Sequence, residues 1–300
     1  MLTPRVYFKS VIINYFGHLL FVFLFSIILN YQCHASDFQS PRTMALGGAS
    51  HAAPLLNDSI FLNPSFSSFL PTYSIAFNYG WYNGGTTNPD GSNSYHGHIL
   101  NGSIQDGRSE MFQAGVSFTR REDARFFHFG ASKAMLRNLG VGVGGKWVVL
   151  NDSANTSFQD LTLAATFFPE PWLQTALIVD NLLETQKGLA LNLHREIILA
   201  SKWSVLGSVM FYFDPQLFPN LSGSSSFGHE LGIEIPVMSD VYLRMGNFRN
   251  AQVFYEGAYG RGYAFGIGWV APKISFDYAV QRAIDPIGAT FHQLGMTVYF

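Results

Sequence analysis

The most constraining feature of this chain is an alternation of side chains with a period of two residues, repeated along most of its length after Pro71. In residues 74–82 large apolar or aromatic side chains occupy every second position, and residues 111–119, 262–269 and 273–281 repeat the pattern. The positions between them hold mainly Gly, Ala, Ser and Thr, with a few charges. Because successive side chains of a β-strand point to opposite faces, each segment predicts a strand with one oily face and one small or polar face.

The small face argues against a soluble β-sandwich, because the inward face of a sandwich is filled by large side chains. Small residues suit a wet or plugged lumen instead, and the oily face then requires lipid. After residue 35 the chain has no run that reaches the roughly 20 apolar residues of a spanning helix. The remaining membrane structure is a closed barrel, in which every backbone group pairs between strands.

We therefore predict an all-β fold, a transmembrane antiparallel β-barrel of about fourteen strands, since single-chain bacterial barrels have even strand numbers. The second and eighth strands show the weakest alternation, which leaves twelve strands as an alternative. The predicted strands are 74–82, 93–104, 111–119, 125–134, 140–150, 158–168, 172–181, 192–201, 203–213, 227–235, 241–248, 260–270, 273–282 and 290–300.

The gaps between these strands alternate in length. The odd-numbered gaps are longer and include the turn-rich stretches 83–92 and 214–226, whereas the even-numbered gaps include the tight 169–171 and 271–272. Long external loops and short periplasmic turns are typical of outer-membrane barrels. Both ends of the barrel chain are therefore expected in the periplasm.

Composition excludes several other classes of protein. Charged residues make up 13% of the chain, about half of the roughly 25% usual in soluble domains. A net charge of −2 provides no basic face for nucleic acid, so we expect no such partner. The single Cys excludes an internal disulfide.

The first 35 residues have the pattern of a secretory signal peptide. Arg5 and Lys9 precede the apolar stretch 19–29, and small residues at Cys33 and Ala35 flank a cleavage point. An uncleaved transmembrane anchor is disfavoured because polar residues interrupt the longer run, and a lipoprotein cleaved before Cys33 is disfavoured because bulky residues precede it. The predicted organisation is a signal peptide (1–35), a non-alternating segment (36–70) and an outer-membrane barrel (71–300).

The last strand ends on an aromatic residue. Leu294, Met296, Val298 and Phe300 alternate with small or polar residues up to the terminus. Outer-membrane barrels present such a strand to their assembly machinery, so Phe300 is the predicted assembly signal.

The segment 36–70 does not alternate and carries a series of short motifs. Arg42 precedes a Leu-Gly-Gly-Ala run, whose glycines permit a close backbone approach, and Asp58 follows. Asn63 and Pro64 have the form of a helix start, with Asn as N-cap and Pro at the first helical position.

These motifs resemble the outer-membrane transport proteins of the long-chain fatty acid transporter type and, more closely, their PorV/PorQ-like relatives associated with type IX secretion. Those proteins carry a pattern like R-x-x-x-(M/L)-G-G-A, then D-S, then Y-N-P-A, although Ser65 stands here in place of the last Ala. The resemblance implies that segment 36–70 is an N-terminal luminal hatch or plug inside a fourteen-stranded barrel. The matching hatch residues are Arg42, Gly47, Gly48, Asp58, Asn63 and Pro64.

Charged residues on the predicted inward face have two interpretations. They line a permeation path, or they form ion pairs that hold the hatch in the lumen, and we favour pairing because unpaired charge in a narrow interior is costly. The predicted lumen-facing charges are Lys146, Asp160, Glu230, Glu234, Arg244, Lys273 and Asp277.

Other motifs do not support a catalytic or cofactor-binding function. Gly140, Gly142 and Gly145 satisfy the GxGxxG spacing, but a strand and not a helix follows, so we interpret them as a bare inward face against which the hatch lies. His96 and His98 share a strand face without further ligands, so we expect no metal site. We expect neither an enzyme nor a cofactor.

The resemblance implies passage of small hydrophobic molecules across the outer membrane of a Gram-negative bacterium through a hatch-plugged barrel. Its closer branch implies the alternative, a docking or shuttle component of a type IX-like secretion system with no transport of its own. The expected partners are outer-membrane lipid, the barrel assembly machinery, and either a hydrophobic ligand or secretion-system proteins.

Overall fold

The computed structural model describes residues 38–84, 96–152, 154, 156–205, 208–253, 258–285 and 289–300. The predicted signal peptide 1–35 lies outside these residues. Among the described residues, no helix combines the length and the hydrophobicity needed to cross a membrane.

Fourteen antiparallel strands form one closed barrel. Each strand pairs with its neighbours in sequence, and β1 closes the cylinder by pairing with β14 from Ser74 opposite Tyr299 to Gly84 opposite Ala289. The predicted architecture is thereby confirmed, with fourteen strands and not twelve. The strands are β1 Tyr73–Gly84, β2 His96–Asp106, β3 Gln113–Arg120, β4 Ala124–Leu136, β5 Leu139–Leu150, β6 Ser157–Glu170, β7 Leu173–Asp180, β8 Glu196–Val205, β9 Val209–Leu217, β10 Phe227–Met238, β11 Val241–Val253, β12 Ala258–Val270, β13 Ile274–Asp285 and β14 Ala289–Tyr299.

The two faces of the barrel wall differ as the alternation predicts. Large apolar side chains point outward and remain exposed, for example Phe77 (49%), Val116 (58%) and Leu199 (60%). Inward positions hold small or polar side chains that are buried, such as Ser117 and Ala264. The oily face therefore surrounds the barrel, and the small face encloses its interior.

Two predicted strands are displaced along the sequence. The eighth, predicted at 192–201, is Glu196–Val205, and the ninth, predicted at 203–213, is Val209–Leu217. The cause is a short helix, α3 (Gln186–Ala190), after which Leu191 and Leu193 pack into a buried cluster in place of joining the sheet. The ninth strand consequently extends into the predicted loop 214–226.

The strand connections define two ends of the barrel. We call the end that carries the connections β1–β2, β3–β4 and every second one after them the loop end, and the opposite end the turn end. The loop end includes the long connections 181–195 and 218–226, whereas the turn end includes 137–138, 171–172 and 239–240. The backbone N–H of Phe300 donates to Tyr73 O, which places both ends of the barrel chain at the turn end.

Residues 38–70, which we call the luminal segment, lie inside the barrel. The segment contains two short α-helices, α1 (Pro41–Ala45) and α2 (Ser59–Leu62), and two 3-10 helices, η1 (Leu56–Asp58) and η2 (Pro64–Phe69). Helix α1 packs on β11 to β14, whereas η2 packs on β3 to β6 across the barrel. Most of its side chains are buried, so this segment forms the core together with the inward faces of the strands.

Candidate functional site

The contact between the luminal segment and the barrel wall begins with a buried guanidinium. Ser40 caps helix α1, and its hydroxyl accepts a hydrogen bond from Thr43 N at 3.3 Å. This cap places Arg42 against the wall, where Nε lies 3.1 Å from Glu234 Oε2 and Nη2 donates to Tyr212 Oη at 2.7 Å. Burial lowers the pKa of Arg42, but the nearby Glu234 carboxylate raises it by more. The net pKa lies above its ordinary value, so the guanidinium stays charged.

The ion pair of Arg42 is extended by further ion pairs along the inner face of the wall. Arg244 Nε on β11 lies 2.6 Å from the same Glu234 oxygen, and Arg244 Nη1 lies 2.5 Å from Asp277 Oδ1 on β13. Two guanidinium groups thus alternate with two carboxylates from the luminal segment through β10 and β11 to β13. Such pairing offsets the cost of burying each charge.

The two glycines after helix α1 form a tight turn against the wall. Gly47 and Gly48 have φ of 70° and 95°, a region that only glycine adopts without strain. A Cβ on Gly47 would lie 2.7 Å from Asn247 N, and a Cβ on Gly48 would overlap the Glu230 carboxylate. The glycine pair therefore permits the backbone to touch β10 and β11.

Asp58 holds the first part of the luminal segment together. Its Oδ2 accepts hydrogen bonds from Ser40 Oγ at 2.7 Å and from Thr43 Oγ1 at 3.2 Å. Burial raises the pKa of Asp58 to about 6, while these hydrogen bonds and Arg42 act in the opposite direction. The carboxylate thus stabilises the luminal segment through hydrogen bonds within that segment.

Asn63 and Pro64 begin the 3-10 helix η2, as the sequence predicts for a helix start. The Asn63 side chain accepts from Ser65 N at 3.1 Å and donates to Thr166 Oγ1 on β6 at 2.8 Å. Beside them β5 presents glycines, and a Cβ on Gly142 would lie 2.4 Å from Ser65 N.

The glycine-rich stretch of β5 carries one correction. Gly140 and Gly142 face the luminal segment, as expected, and Gly144 continues that bare strip beside Pro64 and Thr162. Gly145 instead lies on the outward face, where a Cβ would meet the ring of Phe129. The reason is that residues 144 and 145 are adjacent in a strand and so point to opposite sides.

A third contact joins His51 to two carboxylates of the wall. Asp214 Oδ2 on β9 accepts from His51 N and lies near His51 Nδ1, both at 2.9 Å, and Glu230 Oε2 on β10 lies 3.6 Å from Nδ1. All three side chains are buried. Burial lowers the pKa of His51, but the hydrogen bond and charge of Asp214 raise it more, to about 9.

Not every predicted luminal charge touches the luminal segment. Lys146 Nζ binds Asp180 Oδ2 at 2.9 Å and Asn181 Oδ1 at 2.8 Å. Asp160 Oδ1 accepts from the N–H groups of Leu161 and Leu183. These two residues thus anchor the connection between β7 and β8.

Lys273 differs from its prediction. It lies in the turn 271–273, ahead of β13, and is exposed. In the sequence Lys273 continues the alternation of Ser275 and Asp277, but the strand begins only at Ile274. The prediction therefore placed the start of this strand too early. The predicted assembly signal Phe300 is 62% exposed after the end of β14, and its ring lies 6.1 Å from that of Tyr73.

Toward the loop end, part of the inner wall carries large apolar side chains in place of small or charged ones. We call six buried inward-facing side chains from β2, β4, β5, β6, β11 and β14 the loop-side apolar wall. They pack with Phe38, Phe61 and Leu193 in two apolar clusters. The loop-side apolar wall consists of Ile99, Phe126, Val148, Phe158, Phe248 and Phe291.

Sequence reasoning missed several residues of this site. His51 gave no signal, because nothing in its local sequence distinguishes it. Asp214 was predicted in a loop because it opens the turn-rich stretch 214–226. Tyr212, Asp214 and Gln216 nevertheless alternate with Phe211 and Phe213, which is the signal that could have extended β9.

The comparisons with known proteins agree with this architecture. No protein-family model and no curated protein matches the sequence. Among solved structures, the toluene transporter TbuX of Ralstonia pickettii has a TM-score of 0.60 and 10% identity, covering 90% of this chain and 99% of that one. The fold is that of outer-membrane hydrocarbon transporters.

Two further structures have the same fold. The Pseudomonas putida toluene transporter TodX gives a TM-score of 0.57 at 11% identity, covering 89% of this chain and 98% of that one. A FadL homologue of Pseudomonas aeruginosa gives 0.55 at 9% identity, covering 89% and 99%. The barrel therefore shares its fold with these three proteins.

Proposed function

We propose that this chain resides in the outer membrane of a Gram-negative bacterium and passes small hydrophobic molecules through its barrel, without catalysis. The observation that carries the proposal is the loop-side apolar wall. Inward positions near the middle of the barrel are small or charged, but near the loop end those of β2, β4 to β6, β11 and β14 are large and apolar. On β8 to β10 the loop end instead presents the buried carboxylates of Glu196, Asp214 and Glu230. An apolar solute that enters from the loop end gains favourable burial there.

Passage requires the luminal segment to move. A small cavity of about 60 Å³ lies between Phe61, Glu230 and neighbouring side chains. Sites for small ligands usually measure about 300–1,000 Å³. The luminal segment therefore acts as a hatch in this proposal, and its displacement opens the route.

A reversible crosslink between hatch and wall tests the proposal. A Cβ built on Gly130 lies 3.4 Å from Pro64 Cβ, close to the usual Cβ separation of a disulfide. The variant Pro64→Cys/Gly130→Cys, in a Cys33→Ser background, is produced in cells that lack their own uptake barrels for these solutes. Entry of labelled toluene and labelled oleate is measured with and without reductant.

We expect oxidation to stop uptake and reduction to restore it. The single variant Pro64→Cys, treated with the same oxidant, is the control for loss of the proline. Equal uptake in the oxidised and reduced double variant contradicts the hatch mechanism. Absence of uptake by the wild-type chain for both solutes contradicts the transport function itself.

A docking component of a secretion system is the second candidate. The close packing of the luminal segment on both sides of the barrel favours it, because a docking barrel needs no open route. Under this alternative the wild-type chain takes up neither solute, and a secretion-system protein co-purifies with it in fixed stoichiometry whether or not the crosslink is formed.

A further inference from the structure

The contact of His51 with β9 and β10 contains more negative than positive charge. Asp214 and Glu230 surround the imidazole, and Glu196 on β8 lines the same small cavity with Glu230. All three carboxylates are buried. Among the described residues, the His51 imidazole is the cation within 4.0 Å of Asp214 and Glu230, and uncompensated buried charge is costly.

The spacing of the polar atoms fits a metal ion. His51 Nδ1 lies 2.9 Å from Asp214 Oδ2 and 3.6 Å from Glu230 Oε2. Two ligand atoms about 2.1 Å from a tetrahedral ion are separated by about 3.4 Å. The ligand atoms of the three residues all lie within 4.8 Å of one another, so one ion can contact all of them after small side-chain movements.

A further buried oxygen atom faces this place without a hydrogen-bond partner among the described residues. Gln216 on β9 is 4% exposed and lines the same cavity as His51, and its Oε1 has no hydrogen-bond partner among the described residues. Asp214 Oδ1 and Glu230 Oε2 likewise accept no hydrogen bond from the described part of the chain. Buried oxygen atoms normally have partners, so these three acceptors point to a cation bound among them.

We propose that His51, Asp214 and Glu230 bind one divalent metal ion, with Gln216 as a further oxygen donor. One imidazole nitrogen with carboxylate oxygens suits Zn²⁺ among the common divalent ions. The ion replaces the proton on His51 Nδ1 and adds a second positive charge to the cluster. Because His51 belongs to the luminal segment and the carboxylates belong to β9 and β10, the ion also ties that segment to the wall. The site does not depend on the transport proposal.

Metal titration of the intact protein tests the site. Tag-free full-length protein is purified from membranes in detergent, stripped with chelator and titrated with Zn²⁺ alone by calorimetry, and its metal content is measured after desalting. We expect one Zn²⁺ per chain. His51→Gln and Glu230→Gln each lower the affinity by more than about 100-fold, since even partners of ligands are worth 10–100-fold.

The control is His98→Gln, because His98 is an exposed histidine on the outer face and binds Tyr79. It retains the wild-type affinity. Wild-type protein that retains no Zn²⁺, or binding that is unchanged in both ligand variants, overturns the proposal. If a ligand variant fails to form the barrel, Co²⁺ bound to the wild-type chain decides: tetrahedral absorption bands support the site, and their absence overturns it.

Discussion

The two parts of the luminal segment hold to the barrel by different means. Residues 41–58 contact β9 and β10 through buried charges, in which Arg42 meets Glu234 and His51 meets Asp214. Residues 59–69 contact β3 to β6 through neutral hydrogen bonds and close packing on glycines, with Asn63 as the main polar contact.

The two kinds of contact differ in the free energy that is lost when one of them breaks. Separation of one partner of a buried ion pair leaves an uncompensated charge. Movement of residues 41–58 away from the wall is therefore costly. Neutral hydrogen bonds each contribute only about 0.5–1.5 kcal/mol net, and packing on a bare strand depends on shape. We therefore expect the side at β3 to β6 to release first. Four changes test this comparison.

The largest effect is expected from loss of the guanidinium. Arg42→Ala leaves Glu234 and Tyr212 without their partner in the luminal segment and costs about 3–5 kcal/mol of unfolding free energy. Urea unfolding of the detergent-folded protein measures the loss. Arg108→Ala, whose guanidinium is exposed near Asp106, is the control and stays close to wild type. A cost equal to that of the control contradicts the charged anchor.

The second effect comes from filling the bare strip of β5. Gly142→Val places side-chain atoms where Ser65 N now lies, and overpacking costs about 1–3 kcal/mol. The matched control is Gly102→Val on β2, where a Cβ meets nothing within 4 Å. Hydrogen exchange measured by mass spectrometry should rise across residues 59–69 in the first variant alone. An equal rise across residues 41–58 shows that the two parts move as one.

The third effect concerns the cap of η2. Asn63→Ala removes the cap and the donor to Thr166, and a lost cap typically costs about 0.5–2 kcal/mol. Thr185→Ala removes the comparable cap of α3 in the connection between β7 and β8. Only the Asn63 variant should speed hydrogen exchange in residues 59–69, whereas faster exchange there in the Thr185 variant contradicts the assignment.

The fourth effect is a pH dependence within the charged part. Because the folded pKa of Asp58 is raised to about 6, above its ordinary 3.8, its protonated form is favoured by folding. Its contribution to stability is fully present below pH 3.8 and is lost as the pH rises through 6. Comparison of hydrogen exchange in residues 40–58 at pH 4 and pH 7, corrected for intrinsic rates, should show this loss.

Asp58→Asn removes the titrating group and should flatten that difference. The control is Asp106→Asn, which changes an exposed carboxylate on the wall and should leave the difference unchanged. A wild-type pH profile in the Asp58 variant places the titration elsewhere.

Local patterns predicted much of the molecule. The alternation gave the strands, because outward residues such as Phe77 face lipid whatever their neighbours are. It failed where a side chain is apolar for another reason, as with Leu191 and Leu193, which pack in a cluster and not in β8. It also failed at Lys273, because period alone does not show where a strand begins.

The sequence by itself determined a closed barrel with a non-repeating segment that must be placed somewhere, since period-two alternation with one oily face has few other stable outcomes in a membrane. Only the tertiary structure decided which charges meet. His51 and Asp214 are 163 residues apart in sequence, and their contact follows from the path of the luminal segment and the stagger of neighbouring strands. Neither property is encoded in any short stretch of sequence, because both result from the closure of all fourteen strands around the segment.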